Sequence, residues 1–133
     1  MRLTRAFLTV LVFATAALFV AGCRTAPVYN VTDAPVSTMD DSPVTMDQVH
    51  DAIVRAGTSL GWRMKEVEPG HMVGTLHVRT HMAQVDINYT TEGYDITYKN
   101  SSNLKYDGTN IHSNYNGWIQ NLDNAIQSEL MTL

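Results

Sequence analysis

Five histidines, six tyrosines, two tryptophans and one cysteine are the side chains of this 133-residue sequence from which chemistry could be assembled. His71, His77 and His81 lie close in sequence, and the last two flank a candidate hairpin turn. A zinc site needs three or four converging ligands, and no His-x-His pair is present, so these histidines read as surface residues and no metal or cofactor is expected. Paired acids are confined to Asp40-Asp41 and to Glu66 and Glu68 beside a turn, with no glycine loop of the kind that cradles phosphate. No catalytic set assembles from these pieces, and the expectation is a protein that is not an enzyme. The densest polar and aromatic stretch runs from Tyr98 to Leu122. Within it Asn103, Tyr106, His112 and Asn116 are candidates for a small-ligand recognition pocket. The competing reading closes a turn with Ser101, Ser102 and Asn103 and packs Tyr115 and Trp118 in the core.

That stretch, Ser-x-Asn-Leu-x-Tyr followed by Ile-His-x-x-Tyr-Asn-x-Trp-Ile-x-Asn-Leu, resembles the carboxy-terminal part of small bacterial envelope lipoproteins of unassigned activity. The resemblance covers roughly residues 45–130 and brings no ligand with it. The small lipoproteins of outer-membrane assembly place two helices before their sheet, an order this chain does not share.

A second resemblance lies at the amino terminus. Arg2 and Arg5 precede an uncharged run from Phe7 to Val20, which ends in Val20-Ala21-Gly22-Cys23. Fourteen uncharged positions fall short of the ~20 a spanning helix needs and suit the hydrophobic region of a signal peptide. Small residues before the chain's sole cysteine resemble the bacterial lipobox, which implies diacylglyceryl transfer to Cys23 and cleavage before it. Each buried methylene contributes roughly 0.8 kcal/mol, so two or three acyl chains make a lasting anchor. Arg24 after the cysteine is similar to outer-membrane cargo. The expected protein is therefore lipid-anchored in the outer membrane, with its head in the periplasm and an envelope protein as a possible partner.

The chain thus divides into three segments: a signal peptide over 1–22, a lipidated Cys23 with a flexible tether to residue 44, and a globular head over 45–133. Residues 1–22 hold two of the nine basic residues and no acid, so their removal leaves 111 residues with seven basic against thirteen acidic. A mature net charge of −6 argues against nucleic acid as a partner. The three prolines and scattered Thr, Ser and Asp of residues 24–44 show no helical period and read as a tether spanning about 25 Å as a coil.

The elements that would position the candidate residues are legible from periodicity. Thr45 and Gln48 have the form of a capping box, and Met46, Val49, Ile53, Ala56 and Leu60 form one helical stripe stopped by Gly61. Period-two runs come next, around residues 62–67, 72–78, 83–89 and 94–98. A two-residue Arg79-Thr80 loop pairs Leu76 with Ala83 and Met72 with Ile87, and a Thr90–Gly93 loop pairs Tyr89 with Tyr94 and Ile87 with Ile96. A four-residue loop in place of Arg79-Thr80 keeps the same parity. A last helix, capped by Thr109 or Asn110, carries Ile111, Tyr115, Trp118, Leu122, Ile126 and Leu130. The expected fold class is α+β: helix, four-stranded antiparallel meander, helix, with both helices on one face of the sheet. The other face, with Arg63, Thr75, Gln84, Asp86 and Thr97, is polar and of mixed sign, and could dock a partner or form a wet homodimer.

Overall fold

A computed structural model describes residues 24–133; the expected signal peptide over 1–22 and Cys23 lie outside the described residues. Thr45 starts helix α1 (Met46–Ser59), its Oγ1 accepting from Gln48 N–H at 3.2 Å while Gln48 Oε1 accepts from Thr45 N–H at 2.9 Å. Two of the four orphan donors of the first turn are thereby satisfied. Gly61 follows the helix with φ of 87°, where a side chain would be strained. Val49, Ala52, Ile53, Ala56 and Gly57 form the buried face, whereas Leu60 caps the helix and is exposed. A Cβ on Gly57 would land on Met64 Sδ, so glycine here sets the close approach of helix and sheet.

Strands β3 (Arg63–Glu68), β4 (His71–Val78), β5 (His81–Tyr89) and β6 (Gly93–Ser102) form the meander. Leu76 pairs with Ala83, Met72 with Ile87, Tyr89 with Tyr94 and Ile87 with Ile96, across loops Arg79-Thr80 and Thr90–Glu92. Arg79 opens the tight loop at φ of 55°, the left-handed conformation such hairpins require.

The sheet has five strands rather than four. Strand β2 (Val31–Pro35) pairs antiparallel with β6, giving the order β2-β6-β5-β4-β3, and β1 (Thr25–Pro27) pairs with β7 (Asn110–His112) in a separate two-stranded sheet. Strand β7 comes from the expected start of the last helix, and β1 and β2 from the stretch read as a tether. Period two is broken there because Asp33 sits at φ of 53° in a register shift between Val31 and Ala34. Apolar Val28, Val31, Ala34 and Val36 therefore fall at intervals matching neither a strand nor a helix. Pro35 is tolerated because β2 is an edge strand.

Helix α2 (Ser113–Leu130) begins later than its sequence suggests. Asp107 Oδ1 accepts from Thr109 N–H at 2.9 Å and Asn110 N–H at 2.7 Å, closing a turn. The N–H groups that Thr109 or Asn110 would cap are held elsewhere, His112 N–H by Leu104 O at 2.8 Å and Ser113 N–H by Arg24 O at 2.7 Å. Ile111 is consequently buried in β7, and Tyr115, Ile119, Leu122, Ile126 and Leu130 form the buried stripe of α2. Trp118 packs at the flank, half-buried. One core joins the buried stripes of both helices to Met72, Leu76, Ala83, Val85, Ile87, Tyr94 and Ile96, the alternate residues of the central strands.

Candidate functional site

The four residues of the anticipated pocket are brought to one part of the molecule, but each has a structural partner. Asn116, in the first turn of α2, holds the link between β1 and β2: its Nδ2 donates to Pro27 O and its Oδ1 accepts from Tyr29 N–H, both at 2.9 Å. His112 is the N-cap of α2, with Nδ1 accepting from Asn114 N–H at 3.1 Å. Asn103 takes a left-handed φ of 57°, and its side chain donates to Thr80 Oγ1 at 2.7 Å. Tyr106 stacks on Tyr98 with centroids 4.1 Å apart, and Tyr115 meets Tyr98 edge-on at 5.7 Å. This is a polar and aromatic clasp that holds the chain's first strands against the start of α2. Replacing Asn116 by Ala removes two hydrogen bonds to main-chain groups. The expected loss is about 1–2 kcal/mol of stability, with faster amide exchange over residues 25–31; unchanged exchange would contradict the clasp.

The concave surface lies at the opposite end of the sheet, where the β3–β4 and β5–β6 turns meet the start of α1 and the end of β2. A cleft of ≈ 640 Å³ is lined by Asp33, Glu92, Asp95, Gly70, Tyr89 and Tyr94 among others. A second hollow of ≈ 380 Å³ shares Met46, Pro69, Gly70 and Tyr89 with it and adds Asp47, His50, Asp51 and Glu66. His50 Nδ1 lies 3.0 Å from Asp51 and its Nε2 3.7 Å from Glu66. Burial raises the Tyr89 hydroxyl above its ordinary pKa, and the nearby Glu66, Asp47 and Asp51 charges push in the same direction. Among the described residues no group of three or more His, Cys, Asp or Glu is placed to hold a metal ion. The cleft is hidden from sequence reading because the acids of the two hollows come from four separate segments. Only Asp47 with Asp51, and Glu92 with Asp95, are close in the chain.

Two spacings in the sequence have the form of catalytic motifs and the wrong surroundings. Gly57-Thr58-Ser59-Leu60-Gly61 matches a nucleophile elbow, which needs a strand-to-helix turn. Here Ser59 ends a helix and its hydroxyl donates to Ala56 O at 2.7 Å. Glu68 and His71 stand three apart but face each other across a hairpin, and His71 Nε2 lies 2.7 Å from Asp86 on the polar side of the sheet. Lys99 Nζ is 3.6 Å from the same carboxylate. That group is a polar cluster on a strand surface.

Comparison with known proteins gives no match to a family model, to a curated protein or to a solved structure.

Proposed function

We propose that this protein is a bacterial envelope lipoprotein, held in the outer membrane by acyl chains on Cys23, whose head acts in the periplasm as a non-catalytic interaction or structural module. The observation that carries the reading is the order of basic, apolar and small residues ending in Val20-Ala21-Gly22-Cys23, with the only cysteine of the chain at the position acylation requires. Two features of the head support it. No helix among the described residues is long and apolar enough to cross a membrane, so a membrane attachment by these residues would not be a spanning helix. The side chains of the central strands that turn away from the core, such as Thr75, Gln84 and Asp86, form a polar face, with both helices set against the other. A recognition pocket for a small ligand among Asn103, Tyr106, His112 and Asn116 is not favoured, because those side chains already bind the chain's own backbone, hydroxyls and rings.

The test is the mass of the mature protein isolated from bacterial membranes. The expected species begins at Cys23 and carries a diacylglyceryl group. In parallel, a Cys23→Ala variant is expected to leave the membrane fraction. A mature chain with an unmodified Cys23 would overturn the proposal.

A further inference from the structure

The head is electrically polarised along its strands, and its basic end is the end from which the acyl anchor would leave. Hydrogen bonds trace the connection. Arg24 O accepts from Ser113 N–H at 2.7 Å, and His112 N–H donates to Leu104 O at 2.8 Å. The neighbouring Asn103 binds Thr80 in the β4–β5 turn, while His81 Nδ1 lies 2.6 Å from Asn103 O. Arg24, Arg79 and Lys105 all sit around this chain of contacts and are exposed. Among the described residues none of the three pairs with a carboxylate, whereas Arg55 is bound to Glu129 and Lys99 to Asp86. One acid, Asp107, stands in the adjoining loop, bonded to two backbone N–H groups of its own turn, and its charge offsets one of the three cations. At the far end stand Asp33, Asp47, Asp51, Glu66, Glu92 and Asp95, around the clefts.

Distance decides which charges a surface at the basic end would feel. Strand β5, nine residues long, connects the two ends, a separation of about 30 Å at ~3.3 Å per residue. Charges interact through solvent over about 8 Å at physiological ionic strength, so the acidic end is screened from such a surface despite the net negative charge. Two of the three cations also occupy backbone positions that suit glycine or asparagine: Arg79 at φ of 55° and Lys105 at 53°.

We infer that the end of the head bearing Arg24, Arg79 and Lys105 lies flat against anionic phospholipid headgroups. The inference rests on the acylation of Cys23 proposed above and adds to it the orientation that such an attachment imposes. Cys23 immediately precedes Arg24, whose carbonyl is already fixed to the start of α2, so no spacer separates anchor from head. The head cannot stand off on a tether; it meets the bilayer with the basic end first. Attachment supplies the high local concentration that lets three exposed cations hold this orientation without strong intrinsic affinity.

The experiment uses the full acylated protein in vesicles of phosphatidylethanolamine with about a quarter phosphatidylglycerol, carrying a spin label at Ser102→Cys or at Glu92→Cys. Both positions are exposed, the first at the basic end and the second in the β5–β6 turn. A relaxation agent bound to the headgroups is expected to broaden the Ser102 label at least fivefold more than the Glu92 label. The difference should shrink severalfold in phosphatidylcholine vesicles, and in an Arg79→Gln, Lys105→Gln variant whose thermal unfolding is unchanged. Equal broadening at the two positions in protein whose mass shows acylated Cys23 would overturn the orientation and leave the lipoprotein reading standing. Dipolar coupling between Ser102 labels of different copies would overturn it too, assigning this end to a homodimer. An unmodified Cys23 would overturn the lipoprotein reading itself, and the docking with it.

Discussion

A chain shortened to begin at Thr45 is expected not to fold cooperatively, whereas one beginning at Arg24 gives a single sharp transition. The deleted segment supplies Val31, 6% exposed, together with Val28, Ala34 and Val36 packed against the core. Complete burial of a valine contributes about 1.5–3 kcal/mol, so one buried and several half-buried side chains amount to roughly 5 kcal/mol. The whole stability of a domain is about 5–15 kcal/mol. The same deletion removes the ladder between β2 and β6 and two side-chain bonds, Asn30 Oδ1 to Tyr98 N–H at 2.9 Å and Asp33 N–H to Asp95 at 2.7 Å. Strand β6 then becomes a sheet edge with unpaired main-chain groups, a template for aggregation. Circular dichroism during heating, with size-exclusion chromatography, decides the matter. A monomeric shortened chain melting within a few degrees of the longer one would show the segment to be an accessory.

Residue patterns locate a domain boundary only where burial imposes a period on the chain. The registers of β4 with β5 and of β5 with β6 are legible because one face of those strands is buried, and a slip of one residue would turn every apolar side chain outward. Strand β2 carries no such signature. Its bulge at Asp33 offsets the apolar residues, and its Pro35 imitates a linker while standing where an edge strand tolerates it. The start of α2 departs from its sequence expectation for a related reason. The N–H groups of His112 and Ser113, which Thr109 or Asn110 would cap, are held instead by the carbonyls of Leu104 and Arg24, the second of them far away in the chain. For the candidate site, sequence singles out Asn103, Tyr106, His112 and Asn116 as unusual, and they are neighbours in space. Their partners are backbone groups of residues 25–29 and the start of α2, together with Thr80 and the Tyr98 ring, and nothing local in the sequence announces those pairings. The acidic cleft is less legible still, since it exists only once two hairpin turns, a helix start and an edge strand have met.

The steepest expected response of the folded head is to alkali, and it comes from two buried tyrosines. Tyr94 donates to Asp123 Oδ1 at 2.5 Å and accepts from Gln127 at 2.7 Å, and it is 2% exposed. Burial first, then the hydrogen bond to Asp123 and its charge, raise its pKa far above the ordinary phenol value. Tyr115 is wholly buried and its hydroxyl has no hydrogen-bond partner among the described residues; burial again raises it, with Tyr98 and Tyr106 adding to the effect. Both groups therefore stay protonated in the folded chain through the pH range where an unfolded tyrosine ionises, near pH 10. Below that pH their contribution to stability is fully present. Above it the unfolded state loses protons that the native state keeps, and each tyrosine removes about 1.4 kcal/mol of stability per pH unit. Two of them remove roughly 5 kcal/mol between pH 10 and pH 12, and Tyr89, raised in the same direction, steepens the fall. Urea denaturation at successive pH values should show a plateau up to about pH 10 and then a decline of two or more protons per molecule. A Tyr115→Phe variant separates the causes. It removes an unpaired buried hydroxyl, so at neutral pH it should be at least as stable as the parent, by up to about 1–2 kcal/mol. It should also lose close to one proton from the alkaline slope. Loss of stability at pH 7 would mean that the hydroxyl has a partner after all, and an unaltered slope would mean that Tyr115 ionises in the folded state.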